Sequence, residues 1–350
     1  MHDRSTLPRR RAMFLAALLL SLSGCRTSIH ASYADSTAPT YAARAPLAVT
    51  GPIELSLQDN NQNKELYFTL LYPTTGRNYP VIVFSHGAGG SPKSYIKLLT
   101  YWAQHGYVVV APAHADDQGG GLLKLKAALD STEDPAARVN RLEDVTFLID
   151  SLKGLVEVEP GLKGKMDFNR LGVGGHSYGA YVAMVIGGTK VDLTNSGTMK
   201  TYKDPRVRSV LLMSPQGVGR MGLNETSWSS FHIPMLLMTG SLDKPFGNAG
   251  SSSRTDPYRL APSGHKYEIY IDGANHLSFC DFMSNLPERR RLFAPAQSSS
   301  LTQREMYQYV EAGSLAFWDA TLKNSATARE YLRSNTMEQS SGGVVHPSHG

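Results

Sequence analysis

The stretch Leu171-Gly172-Val173-Gly174-Gly175-His176-Ser177-Tyr178-Gly179-Ala180 constrains this chain more than any other, because an apolar run enters a G-x-S-x-G turn. Helix-compatible residues continue from Ala180 to Ile186, so strand, tight turn and helix follow in that order. A turn this sharp presses backbone against backbone. Gly175 and Gly179 lack the β-carbons that would clash where the chain doubles back, and the serine between them is held out at the tip of a sheet with strained angles.

A serine hydroxyl is a weak nucleophile until a base takes its proton, so the reading requires a histidine and a carboxylate further on. Ile233 to Gly240 reads as a buried strand, and Ser241-Leu242-Asp243 sets a carboxylate just past its carboxyl end. Lys266 to Ile271 reads as another strand, after which Asp272-Gly273-Ala274-Asn275-His276 turns to present a histidine. Ser177, Asp243 and His276 are therefore the candidate nucleophile, acid and base, in that chain order. Upstream, Pro80 to Phe84 opens into Ser85-His86-Gly87-Ala88-Gly89-Gly90, a glycine-rich loop suited to donating N–H groups to an oxyanion. Ala88 is the expected donor there, with Tyr178 as the second. Gly89, Gln216 and Leu277 are candidates for the substrate pocket.

Other polar residues receive plainer readings. His86 orders its turn. His114-Ala115-Asp116-Asp117 lacks the spacing of a zinc site and reads as a loop at the pocket mouth, so no metal and no cofactor is expected. Asp167, Asp272 and Asp281 compete with Asp243, yet Asp167 precedes the elbow strand and Asp272 sits inside the histidine turn.

With these motifs in view, the chain resembles the α/β-hydrolase superfamily, in particular the branch of platelet-activating-factor acetylhydrolases, dienelactone-hydrolase-like proteins and cutinase-type polyesterases. The resemblance runs from about Leu47 to Arg290 and includes Trp102 to Pro112 beside the motifs above. It implies a serine esterase with Ser177, Asp243 and His276 as triad and Ala88 and Tyr178 as oxyanion donors. Two departures narrow it. The nucleophile is serine where dienelactone hydrolases carry cysteine. Ser214-Pro215-Gln216-Gly217 stands where polyesterases of this type carry a tryptophan, which argues against polyester binding.

The amino terminus reads as an export signal. Arg9, Arg10 and Arg11 precede the apolar run Ala12 to Leu20, too short to span a bilayer, and Leu22-Ser23-Gly24-Cys25 resembles a bacterial lipobox. The resemblance implies cleavage before Cys25, lipid attachment to it and a place in the bacterial cell envelope; simple secretion is the alternative. Residues 1–24 are thus a signal peptide, 25–46 a flexible tether, 47–334 the catalytic domain and 335–350 a disordered tail. A net charge of +5, with arginines gathered near the ends and at Arg289 to Arg291, gives nucleic-acid binding little support. Besides Cys25 there is only Cys280, read as a buried apolar residue beside Phe279 and Phe282.

Roughly 290 residues remain for one domain with a sizeable core. Ile53 to Leu57 and Leu66 to Tyr72 alternate like an antiparallel pair; six further apolar runs read as buried parallel strands. The expected fold is α/β, a mostly parallel sheet of about eight strands flanked by helices. About 20 residues separate Met213 from Ile233, too few for a large lid. The expected activity is carboxylic-ester hydrolysis through an acyl-enzyme on small-molecule or lipid esters with short or medium acyl groups, by a monomer. A serine peptidase and a ligand-binding lipoprotein without catalysis are the alternatives.

Overall fold

The computed structural model describes residues 41, 46–115, 121–194, 196–244, 251–281 and 299–350. The arginine cluster, the apolar run and Cys25 lie outside them. Among the described residues, nine strands form one sheet: β1 (Val49–Asp59), β2 (Lys64–Pro73), β3 (Tyr79–Ser85), β4 (Val108–Ala113), β5 (Met166–His176), β6 (Val207–Met213), β7 (Met235–Leu242), β8 (Lys266–Asn275) and β9 (Val345–His349). Their spatial order is β1-β2-β4-β3-β5-β6-β7-β8-β9. β1 and β2 are the antiparallel opening, and β4, β3, β5, β6, β7 and β8 run parallel.

Successive strand residues point to opposite faces, and the apolar runs supply a core to each. Ile82, Phe84, Val109, Leu211 and Ile269 face α1 (Ile96–Gln104) and the long helix Gln303–Leu322. Val81, Val83, Val110, Val173 and Leu212 face α3 (Pro135–Ser151) and α5 (Tyr178–Gly187). Between these lie α2 (Gly121–Glu133), α4 (Leu155–Val158) and α6 (Asp256–Leu260), and Gln303–Leu322 is α7. Thr302 and Glu305 cap α7 reciprocally, each satisfying a backbone N–H of the other's residue. Gly172 on β5 lets that helix approach: a β-carbon there would lie 2.5 Å from the Trp318 ring. Trp318 is fully buried against Trp102 and Phe317. Trp318→Ala is accordingly expected to destabilise the fold by about 3–5 kcal/mol, read from urea unfolding.

The carboxyl-terminal residues depart from expectation. Residues 335–350 are not a disordered tail: they form α9 (Thr336–Ser340) and β9, with α8 (Ala326–Arg333) leading in. β9 pairs antiparallel with β8 from Tyr267↔His349 to Ile271↔Val345, while Met337, Val344 and Val345 are buried. Two or three apolar anchors and main-chain hydrogen bonds to an open sheet edge suffice here, and neither leaves a periodic trace in a Ser- and Gly-rich sequence. Pro347 is tolerated because this strand is at the edge.

Burial beside this edge raises the Glu268 carboxyl to about 7, and its Oε1 has no hydrogen-bond partner. Between its ordinary value and about 7 the folded chain keeps a proton that the unfolded chain has lost, so Glu268 costs stability as pH rises through that window. Glu268→Gln is expected to raise Tm at pH 8 and to leave it unchanged at pH 4; equal Tm changes at both would contradict this.

Candidate active site

The elbow begins where β5 ends. Ser177 has φ 55° and ψ −114°, a strained conformation for a residue with a β-carbon, and its N–H donates to Met213 O at 2.8 Å. Both flanking glycines are required by space. A β-carbon on Gly175 would lie 2.2 Å from the Gly179 carbonyl carbon, and one on Gly179 would lie 1.8 Å from Ser85 O. Gly179→Ala is expected to abolish activity and lower the yield of folded protein, because the clash is with backbone of the neighbouring strand; full activity would refute the packing described.

The loop after β8 brings His276 to this serine. Asn275 accepts from Leu277 N–H and receives Ser278 in a capping box, while Gln303 of α7 both accepts from Ser278 Oγ and donates to Ser278 O. So braced, His276 sets Nε2 2.9 Å from Ser177 Oγ and Nδ1 2.9 Å from Asp243 Oδ1. A carboxylate only accepts, so Nδ1 carries the proton and Nε2 offers its lone pair to the Ser177 hydroxyl. Asp243 is fully buried, and Thr239 Oγ1 donates to its Oδ2 at 2.9 Å. Burial alone would raise its pKa, but the hydrogen bond from His276 and the charge of Arg254 hold it well below the usual carboxylate range.

The glycine-rich loop stands on the other side of the serine. Its turn closes with Gly90 N–H donating to Gly87 O at 3.1 Å, and Gly89 takes φ 66°. A β-carbon on Gly87 would lie 3.4 Å from Ser177 Cβ, so the loop packs directly on Ser177. Gly87 N–H donates to Tyr95 Oη at 3.3 Å, Tyr95 Oη lies 2.8 Å from His176 Nδ1, and His176 Nε2 lies 2.9 Å from His276 O. His276 O accepts, which fixes the tautomer: Nε2 donates and Nδ1 accepts from Tyr95. Burial, with the neighbouring His276 adding to it, pushes His176 down to about 3, so it stays neutral. Of the three pocket candidates, Leu277 is 44% exposed beside His276, Gly89 is half-buried in the turn, and Gln216 Oε1 accepts from Arg254.

Comparison with known proteins agrees with this geometry. A family model described as chlorophyllase matches residues 48–199. Platelet-activating factor acetylhydrolase of Cavia porcellus is 23% identical over 237 residues, 59% of this chain and 50% of that protein. Cutinase cut1 of Thermobifida fusca is 23% identical over 303 residues, covering 82% of this chain and 78% of its own. The chain thus spans half the length of the acetylhydrolase and more than three quarters of the cutinase. Its sheet and flanking helices have the architecture typical of α/β-hydrolases, and its sequence is similar to members of that superfamily.

The chain contains a second Ser–His–Asp set. Ser85 Oγ lies 2.8 Å from His114 Nε2, and His114 Nδ1 lies 2.7 Å from Asp144 Oδ2, with Lys64 paired to the other carboxylate oxygen. Each set is a hydrogen-bonded chain of the kind a serine hydrolase uses to activate a hydroxyl. They differ in surroundings. Ser85, His114 and Asp144 are at most 2% exposed, and Ser85 lies within β3, whereas the His276 side chain is 17% exposed and Ser177 sits at the strained turn. The inner set braces the glycine-rich loop: His114 N–H donates to His86 Nε2 at 3.2 Å, His86 Nδ1 donates to Gly87 O at 2.8 Å, and Arg141 donates to His86 O at 2.7 Å. His86 bonds within its own turn, and His114, itself buried behind that turn, lines a cavity with Phe68, Pro92 and Ala113.

The rival carboxylates are engaged elsewhere. Asp167 pairs with Arg170 at 2.6 Å, Asp272 with His346 at 3.1 Å, and Asp281 accepts from Tyr307 and from Lys97 N–H. No group of metal-ligating side chains is found among the described residues. Between β6 and β7, residues 214–234 form turns without a helix, so among the described residues no large lid is inserted at this point. The largest cavity described, about 590 Å³, lies at the opposite end beside Tyr79, Gly106 and Arg170, and no triad candidate lines it.

Sequence reasoning missed Arg254. It is 1% exposed, and its Nη1 donates to Ser214 O at 3.0 Å, Pro215 O at 2.8 Å and Gln216 Oε1 at 3.2 Å. Its Nε lies 3.3 Å from Asp243 Oδ1 and its Nη2 3.3 Å from His276 Nδ1. An arginine in a serine-rich stretch carries no periodic or motif signal.

Proposed function

We propose that this hydrolase cleaves carboxylic esters with short or medium acyl groups through an acyl-enzyme on Ser177. The observation that carries the reading is the continuous contact Ser177–His276–Asp243 at an elbow with positive φ. Ser177 Oγ attacks the ester carbonyl carbon as His276 Nε2 takes its proton. The tetrahedral oxyanion is held by the N–H groups of Tyr178 and Ala88, the latter used by neither loop bond described above. Collapse expels the alcohol, which receives the proton from His276, and water then repeats the sequence on the acyl-enzyme. Asp243 remains ionised throughout and stabilises the imidazolium. Relatives named as an acetylhydrolase and as cutinases support hydrolysis of an ester over that of a peptide.

The short connection between β6 and β7, without a helix, supports access for small esters, and Gln216, engaged by Arg254, stands where an aromatic platform after β6 would be. Export with lipidation at Cys25 is part of the proposal, supported by the Arg9–Arg11 cluster, the apolar run and the small residues before Cys25. No described helix is long and apolar enough to cross a membrane. The test of function is a panel of chromogenic esters of rising acyl length beside matched amides. Esters of short or medium chains are expected to turn over and amides to stay intact; amide cleavage at comparable rates would favour a peptidase, and silence toward all of them a binding protein. Labelled palmitate in a bacterial host tests the anchor: label lost in Cys25→Ser supports it, and no label in the wild type refutes it.

A further inference from the structure

A buried cation beside an acid–base pair is costly to fold around unless it is fully engaged. Arg254 lies on the short helical turn Ser251–Thr255, outside every motif that defines the centre. Its single guanidinium joins three parts of that centre: the carboxylate of Asp243, the ring of His276 and the segment Ser214–Gln216. Resting on the Ser177–His276 reading, we propose that Arg254 is a positioning residue that locks the acid to the loop after β6 and opposes the charging of His276.

The geometry separates the two effects. His276 Nδ1 already donates to Asp243, so Arg254 Nη2 at 3.3 Å cannot donate to it; two donors face the same carboxylate, and the guanidinium acts on the ring as a nearby positive charge. Asp243 favours the imidazolium and Arg254 disfavours it. The charged and titratable groups facing this ring include Asp243 from the end of β7, Arg254 from its turn and neutral His176 from the elbow. Arg220, 3.7 Å from Glu133, acts on Arg254 from outside, and Lys244 is exposed. The fork of Nη1 contacts is specific to a planar guanidinium, which a lysine ammonium cannot reproduce.

The experiment measures kcat/KM for p-nitrophenyl acetate and the second-order rate of fluorophosphonate labelling from pH 4.5 to 9, with circular dichroism at each pH, in wild type, Arg254→Gln and Arg254→Lys. Arg254→Gln is expected to move the acid half-point of both rates upward by about one pH unit, because a positive neighbour has been removed. Arg254→Lys keeps the charge and is expected to hold the half-point within about 0.3 pH unit while its plateau falls, since the fork is lost. An unmoved half-point in folded Arg254→Gln overturns the proposal, as does an upward move in Arg254→Lys, which remains decisive if the glutamine variant does not fold. A wild type that neither labels nor hydrolyses the ester removes the Ser177 reading, and this proposal with it.

Discussion

Ser177→Ala is expected to lower turnover on the order of 10⁴-fold or more while leaving circular dichroism and the urea midpoint close to wild type. The loss is large because no other hydroxyl among the described residues is 2.9 Å from His276 Nε2, and because the acyl-enzyme cannot form without it. Ser85→Ala provides the contrast. Ser85 is fully buried against His114, so its loss is expected to lower stability by about 1–3 kcal/mol, the cost of a buried partner left unpaired. Its kcat is expected to fall by less than about tenfold, through slackening of the glycine-rich loop rather than loss of a reacting atom. The reverse pattern, with activity surviving in Ser177→Ala and vanishing in Ser85→Ala, would transfer the chemistry to the inner set.

The second large effect is expected at the acid. Asp243→Asn replaces an acceptor by a group that also donates, so the ring is no longer forced to carry its proton on Nδ1, and turnover is expected to drop by up to about 10⁴-fold. This variant also strands Arg254, whose Nε faces Asp243 at 3.3 Å. Breaking one side of a buried pair costs about 3–5 kcal/mol, so the urea midpoint is expected to fall together with activity. The pH dependence has a definite sign. Asp243 is held below the usual carboxylate range in the fold, so its contribution is present at neutral pH and is lost only as pH falls through that depressed value. Asp144→Asn is expected to lower stability with far less loss of turnover. A variant at Asp167 or Asp272 that matched Asp243→Asn in lost activity would move the acid role to that residue.

Much of the scaffold was legible because its strands are buried on both faces. Runs such as Val81 to Phe84 and Val108 to Ala111 have no polar face to hide, and the alternation in Leu66 to Tyr72 marks the antiparallel opening. The contact of Ser177, His276 and Asp243 was legible for a different reason: each follows a strand at a turn whose glycines or short polar residues announce it. What escaped the sequence was held by contacts without a period. β9 depends on a free sheet edge and on Met337 and Val345 finding the core, and α2 has a weakly amphipathic pattern. Arg254, Tyr95 and the His114–Asp144 pair are distant in the chain from the groups they hold, and only folding brings a lone arginine to His276 or a lone tyrosine to His176.

The central claim is that Ser177 is the nucleophile, and mapping a fluorophosphonate adduct by peptide mass tests it most directly. One adduct per chain is expected, on the peptide containing His176 and Tyr178, with labelling lost in Ser177→Ala and retained in Ser85→Ala. An adduct on Ser85, or labelling that survives in folded Ser177→Ala, would contradict it.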